Sequence, residues 1–254
     1  MTISNGILYV AAGARYIRAA MLSALSARQR CPDLPIHLYS DWTRHASFDF
    51  ERDPYPFTSV ATIEAPHPRS KVDYLPRTPF DRTLYLDSDT RLNADIREMF
   101  QVLDRFDLAL VHSQKRGAKP QLSQWRIQVP QAFPQFNAGV ILYRRSPEVI
   151  HFLEHWRDSF HAAGLSKDQR TLRELLWLSD LRIAALPPEY NVRYVKYHFL
   201  WSRNEASTKI FHLRRYHVGW FAWMFRGLGK FQMRVARRLR QFRTANAGRL
   251  GGPR

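Results

Sequence analysis

A single cysteine, Cys31, is all that the 254 residues contain, so no disulfide can form within the chain and a reducing compartment is expected. No motif surrounds Cys31, and a small buried hydrophobe is the expectation for it. No window of 18 apolar residues occurs, which removes the usual signature of a membrane-spanning helix. The opening stretch MTISNGILYVAAGARYIRAAML lacks a basic leader, and Arg15 and Arg18 interrupt its apolar run, so no signal peptide is expected. These absences together lead to the expectation of a cytoplasmic protein, at most peripheral at the inner face of a membrane. Acidic residues are also few, 22 against 39 Lys and Arg, for a formal net charge of +17. None follows Glu205, whereas 11 Arg and Lys fall between Arg214 and Arg254. Most of the excess charge therefore belongs to the C-terminal segment.

What is present is a sizeable core: 45% apolar residues and 13% aromatics in a length suited to one large domain. Short β-rich runs alternate with helical spacing. Strands are expected at Gly6–Ala12, Pro35–Ser40, Val60–Ala65, Thr83–Leu86 and Leu108–His112. Helices are expected over Tyr16–Ala27, with Ile17, Ala20, Met21, Ala24 and Leu25 as its buried stripe, and around Ser70–Leu75 and Asp95–Asp104. Ser113–Gln135 is long, polar and proline-containing, as a lid or binding loop would be. Then come a strand at Phe136–Tyr143 led by a small-residue turn, helices at Pro147–Ala163 and Asp168–Leu178, and a loop marked by Pro187-Pro188 ahead of Tyr190–Val195. This alternation predicts an α/β fold with one Rossmann-like, mixed but mostly parallel sheet flanked by helices. Ligands sit at the carboxyl ends of such strands, where Ala11–Gly13, Asp41 and Asp87–Asp89 all fall.

The most suggestive of these is RTLYLDSDTRL, Arg82–Leu92, a buried strand that exits directly into Asp87 and Asp89. Shuffling the 14 Asp of this chain would produce Asp-x-Asp roughly 0.8 times by chance, so spacing alone decides nothing. If the chain turns after Leu86, the two carboxylates can converge on one hard divalent cation, Mn²⁺ or Mg²⁺. A third ligand is available at His212, inside the strand-like run Lys209–Leu213. Two carboxylates and one imidazole with open positions suit an ion that holds a diphosphate.

At this point the sequence resembles a family. TLYLDSDT is similar to the metal-binding segment of nucleotide-sugar-dependent glycosyltransferases with the GT-A fold, and most of all to the retaining enzymes of glycosyltransferase family 8. Further segments agree in order over about Ile7–Trp220. VAAGARY looks like the first-strand loop that cradles a nucleobase, which implies uracil stacking on Tyr16 and backbone contacts from Val10, Ala11 and Ala12. Lys71 matches the family's lysine near the donor diphosphate, and Ser88 lies between the metal-binding carboxylates. FNAGVILYRR resembles the segment whose Asn137, Ala138 and Gly139 would contact the donor sugar. KDQ is similar to the Asp-Gln pair near the reacting carbon, here Asp168 and Gln169. LPPEYNVR resembles the Leu-Pro…Tyr-Asn stretch, and KIFHL the strand bearing the third metal ligand.

The resemblance implies a metal-dependent hexosyltransferase that takes a UDP-sugar as donor and a glycan or lipid-linked hydroxyl as acceptor, with retention of configuration. The departures are specific. After the metal-binding histidine the family usually has Gly-x-x-Lys-Pro-Trp. Here Trp220 falls in place, but Val218 stands where the lysine belongs. Arg214 or Arg215 would then supply the cation for the diphosphate, and His217 rivals His212 as ligand. No arginine matches one that precedes the family's lysine, and Arg69 is the nearest substitute.

A GT-A domain is accordingly expected over residues 1–220 and a basic amphipathic helix with a disordered end over 221–254. Phe221, Phe225, Leu228, Phe231, Val235, Leu239 and Phe242 recur every three or four residues among arginines. That pattern suits either an anionic membrane surface or packing on the domain. No nucleic-acid motif accompanies the charge, and no nucleic-acid partner is expected. The rival from another class is a non-catalytic basic protein that binds membrane or nucleic acid on a degenerate transferase scaffold.

Overall fold

The computed structural model describes residues 3–114, 124–202 and 204–216. Two compact units divide the chain, Met1–Leu213 and Arg214–Arg254, and of the second only the single 3-10 turn Arg214–Tyr216 is described. The basic helix expected beyond Val218, together with His217 and Trp220, lies outside the described residues. So does the middle of the polar loop, residues 115–123.

The first unit is built on a seven-stranded sheet. Its strands are β1 (Asn5–Ala11), β2 (Ile36–Ser40), β3 (Ser59–Thr62), β4 (Arg82–Leu86), β6 (Leu108–His112), β7 (Phe136–Arg144) and β8 (Ile183–Leu186), in the order β3-β2-β1-β4-β7-β6-β8. All neighbours run parallel except β7, which is antiparallel to β4 and β6. The mixed, mostly parallel sheet is thus as expected. A separate pair, β5 (Thr90–Leu92) and β9 (Ile210–His212), forms a two-stranded sheet.

Helix α1 (Ala14–Arg30) buries the expected stripe of Ile17, Ala20, Met21, Ala24 and Leu25. Gly13 precedes it at φ +95°, a conformation that favours glycine. The other large helices are α3 (Pro147–Ala163) and α4 (Gln169–Leu178), and the one-turn helix α2 (Lys71–Tyr74) lies earlier in the chain. Trp156, Leu153, Leu172 and Leu176 from α3 and α4 pack with Leu8, Tyr85, Leu110 and Ile141 of the sheet in one core. Clear boundary signals delimit α3: Ser146 at the N-cap accepts from the Val149 N–H, Pro147 opens the helix, and Gly164 closes it in the left-handed region.

Three local stretches add detail to the expected pattern. The stretch after Pro187 is a turn and irregular chain. Pro187 and Pro188 remove two backbone donors, the chain makes a 3-10 turn at Pro188–Tyr190, and only Val192 bridges to Phe211 before the short helix α5 (Val195–Leu200). The helical stretch expected around Asp95–Asp104 is a 3-10 helix over Arg97–Asp104. Asn137–Gly139 is not a turn ahead of a strand but lies inside β7, at a bulge where the register with β6 jumps from Val111↔Asn137 to Leu110↔Ile141. That bulge matters for the site, because it frees backbone groups of Ala138 and Gly139.

Candidate metal and donor site

The buried strand β4 ends at Leu86, and the chain then makes a tight turn. Thr90 N and Thr90 Oγ1 both donate to Asp87 O, at 3.1 and 2.8 Å. Asp87 and Asp89 therefore face one region instead of standing about 7 Å apart along an extended strand. The turn is anchored from below: Tyr9 OH, Ser23 Oγ and Thr90 Oγ1 form a buried hydroxyl chain at 2.9 and 2.8 Å. Strand β9 brings the third residue. Thr90 pairs with His212, and Leu213 N donates to Asp89 O at 3.0 Å.

His212 Nε2 then stands 3.1 Å from Asp89 Oδ1 and 3.5 Å from Asp87 Oδ2. The imidazole is buried, and its other nitrogen, Nδ1, lies 2.8 Å from Asn191 Oδ1. An imidazole whose Nδ1–H is held by an amide oxygen keeps its Nε2 lone pair for a metal. Space is reserved as well. A Cβ on Gly139 would fall 2.1 Å from His212 Cε1 and 2.6 Å from Asp87 Oδ2, so glycine is required there by room. The oxygen–oxygen–nitrogen donor set and its spacing fit a divalent cation.

Beside this corner lies a buried ion network. Lys71 Nζ donates to Ala138 O at 2.7 Å and to Asp87 Oδ1 at 3.3 Å, and sits 3.1 Å from Asp168 Oδ2. Tyr85 OH donates to Asp87 Oδ1 at 2.7 Å. Burial opposes the charge on Lys71, yet Asp168 and Asp87 together hold its ammonium above the ordinary range. Burial likewise opposes ionisation of Asp87, while Lys71 and His212 hold its carboxyl below the usual range. Asp168, 2% exposed, occupies the N-cap position of α4, but its side chain makes no cap. It turns to Lys71, and its Oδ2 receives no aligned hydrogen bond from the fold. The backbone of Asp168 is fixed from behind, where Trp156 Nε1 donates to its carbonyl at 3.1 Å.

No protein-family model matches this chain, and no curated protein matches it. Solved structures do. Mouse xyloside xylosyltransferase 1 in its apo form superposes with a TM-score of 0.56 at 16% identity, over 83% of this chain and 97% of that one. The galactosyltransferase LgtC, in complex with donor and acceptor sugar analogues, gives 0.55 at 16% identity over 82% and 87%. The glycosyltransferase GlyE of Streptococcus pneumoniae TIGR4 gives 0.56 at 17% identity over 86% of this chain and 55% of that one. This chain has a glycosyltransferase fold.

Within that glycosyltransferase fold, Asp87, Asp89, His212, Lys71, Asp168, Asn137, Ala138 and Gly139 are connected by direct contacts. Ser88 is buried in the turn between the carboxylates. Gln169 follows Asp168 at the start of α4, and its carbonyl accepts from Gln135 Nε2 at 3.0 Å. Val10 and Ala11 end β1, and Ala12 and Tyr16 flank the β1–α1 turn. Tyr16 is half-buried, with the Arg15 guanidinium 4.5 Å over its ring. Asp41, at the exit of β2, is drawn to that turn: its Oδ1 accepts from Gly13 N at 2.7 Å, and His45 Nε2 is 3.3 Å from Oδ2. Arg69 Nε donates to Ser166 O and lies 3.8 Å from Asp168 Oδ1. Arg214 is exposed in the second unit, and the side chain of Arg215 lies outside the described residues.

Sequence reasoning gave no site role to Asn191, Tyr85 or Glu174. Glu174, buried in α4, accepts the backbone N–H groups of Trp125, Arg126 and Ile127 and so fastens the C-terminal end of the polar loop. An acid in the middle of an amphipathic helix was the available signal. Outside the site, Cys31 is buried as expected, and burial pushes its thiol up to about 11. Among the described residues no helix is long and apolar enough to cross a membrane. A second cluster, His67, Asp73 and His161, also brings three metal-ligating side chains together.

Proposed function

We propose that the chain is a metal-dependent glycosyltransferase that moves a hexose from a nucleotide-diphosphate sugar, UDP-linked, to a hydroxyl of a glycan or glycolipid, with retention. The observation that carries the reading is the meeting of Asp87, Asp89 and His212 Nε2 in a corner kept clear by Gly139, one hydrogen bond away from the Lys71–Asp168 pair. Bound Mn²⁺ or Mg²⁺ would offset charge on the departing diphosphate.

The chain's own residues supply the rest. Lys71 places a buried ammonium beside the phosphates. Asp168 offers Oδ2, a buried acceptor that lacks an aligned donor, to a sugar hydroxyl, and with Gln169 lies beneath the ring. Asn137, Ala138 and Gly139 line the sugar from β7, while Tyr16 and the backbone of Val10, Ala11 and Ala12 hold the base. Arg214 and Arg215 follow His212 closely enough in sequence to take the role of the missing lysine. Resemblance to the retaining family implies that the acceptor hydroxyl attacks from the face that the diphosphate leaves, and that the diphosphate accepts its proton. The basic C-terminal segment favours acceptors at an anionic membrane.

A screen of UDP- and GDP-sugars with Mn²⁺, scored by nucleotide release to water, tests the reading without a known acceptor. One UDP-sugar is expected to be hydrolysed, with loss of turnover on chelation. Absence of hydrolysis together with no Mn²⁺-dependent UDP binding would return the non-catalytic reading. An inverted anomeric product would remove retention.

A further inference from the structure

We infer that Asn191 is a positioning residue that ties the metal-facing histidine to the sugar-facing asparagine, so that one hydrogen-bonded chain of fixed polarity sets both. The polarity can be deduced from a single backbone group. Gly139 N can only donate, and it points at the Asn137 side-chain oxygen at 3.0 Å. Asn137 must therefore present oxygen on that side, and the same oxygen lies 3.0 Å from the Asn191 side-chain amide. Two oxygens cannot face each other, so Asn191 presents its NH₂ to Asn137. Its own oxygen is then left for His212 Nδ1, 2.8 Å away. An amide oxygen only accepts, so Nδ1 carries the imidazole proton and Nε2 is free of it.

The second consequence falls on Asn137. Both lone pairs of its oxygen are used, by Gly139 N and by Asn191, so the group it has left to offer a ligand is its NH₂. Asn137 thus meets a sugar oxygen as a donor. Reversal at any link would put two donors or two acceptors face to face in a buried place and leave polar groups unsatisfied there. Asn191 itself is 1% exposed. Its backbone is held on both sides, by Asn191 N to Pro188 O at 3.1 Å and by the Val192 links to Ile210 and His212, both 2.9 Å. It is therefore a rigid bridge between the 3-10 turn and β9.

The sugar half of this inference rests on the transferase reading, whereas the histidine half rests on geometry alone. The test is Mn²⁺ titration of the full-length protein at pH 8, followed by the electron paramagnetic resonance signal of free Mn²⁺, with melting temperatures of the metal-free variants alongside. Asn191→Ala is expected to weaken Mn²⁺ about 10- to 100-fold, as loss of a ligand's outer partner does. Asn191→Asp keeps an oxygen for His212 Nδ1–H but sets an oxygen against Asn137. It is expected to hold Mn²⁺ at least as tightly as the parent, yet to bind UDP-sugar about 10-fold more weakly by calorimetry in saturating Mn²⁺. If the parent binds Mn²⁺ and Asn191→Ala matches it, with only a lower melting temperature, Asn191 is merely structural and the inference falls. Equal loss of Mn²⁺ in both variants would also overturn it. A parent that binds no Mn²⁺ overturns the transferase reading instead, along with everything drawn from it.

Discussion

Two clusters of histidine and aspartate lie in the first unit of this chain, and their interatomic distances separate them. At His212 the imidazole Nε2 stands 3.1 and 3.5 Å from carboxylate oxygens of Asp89 and Asp87. At Asp73 the Nε2 atoms of His67 and His161 close on the two oxygens of one carboxylate, at 2.5 and 2.6 Å. Nitrogen and oxygen ligands sit about 2.0–2.2 Å from a small divalent ion, which keeps neighbouring ligand atoms about 3 Å apart. The first cluster has that spacing, whereas the second is already closed by hydrogen bonds. The tautomers point the same way. His212 Nδ1 donates to Asn191, freeing Nε2, while His67 Nδ1 accepts the Arg69 N–H at 3.2 Å, which leaves the proton of the neutral ring on Nε2, aimed at Asp73. Identical residue types thus make an ion site in one place and a clasp between α2 and α3 in the other.

The largest expected difference is in turnover. Asp89→Asn removes a charge from the open cluster, and nucleotide release should fall about 1000-fold, equivalent to about 4 kcal/mol. Asp73→Asn should leave turnover within about twofold. If both variants lose turnover equally, the distances do not distinguish the clusters.

Next is Lys71→Met, which strips the cation from the buried Asp168 and the partly buried Asp87 and should cost about 3 kcal/mol in stability. The pH dependence follows from the signs. Asp87 titrates below the ordinary 3.8, so its stabilisation is present above that value and disappears as pH falls through its folded pKa. Lys71 titrates above the ordinary 10.5, so its share persists to that pH and is lost only beyond it. The deficit of Lys71→Met in urea midpoints should therefore be flat from pH 5 to 9 and shrink below about pH 4. A deficit unchanged at pH 2.5 would exclude the ion pair as its source.

Gly139→Ala probes room rather than charge. Its Cβ would fall on His212 and Asp87, and Mn²⁺ affinity should drop about 100-fold, equivalent to about 2.7 kcal/mol. An alanine variant that titrates Mn²⁺ like the parent would show that the corner relaxes at little cost.

How much of this could be read from residues alone depended on where each signal resides. The strands β1, β2, β4 and β6 were legible because they are mostly buried and mostly apolar. The bounds of α3 were legible because Ser146, Pro147 and Gly164 mark them chemically. Asp87 and Asp89 could be placed at a strand exit, but their convergence depends on the turn to Thr90, and that turn depends on Tyr9 and Ser23, far away in sequence. The placing of Asn137 in a turn failed because a bulge against β6 is a property of two strands, invisible in either. Asn191 stood in the Leu-Pro…Tyr-Asn stretch, but its role was unreadable for a similar reason: it depends on a histidine 21 positions on. What the local chain determines was legible, and what is decided by cross-chain pairing was not.

The smallest prediction concerns the closed cluster itself. Asp73 links His67, ahead of α2, to His161 on α3, and α2 also carries Lys71. Asp73→Asn keeps the shape but removes the charge that favours both contacts. One imidazole N–H can still be accepted by the amide oxygen, whereas the other would face an NH₂. His161 is half exposed, so water can replace its lost partner, and the cost should stay near 1 kcal/mol. The melting temperature should fall by a few degrees, with Mn²⁺ affinity unchanged because the ligands of the other corner are untouched. A Zn²⁺ titration sharpens the contrast. If the cluster is closed, Zn²⁺ should raise the melting temperature of the parent and of Asp73→Asn by the same amount. A stabilisation by Zn²⁺ that Asp73→Asn abolishes would show instead that the two hydrogen bonds open readily, and that short distances in a metal-free cluster do not by themselves exclude an ion.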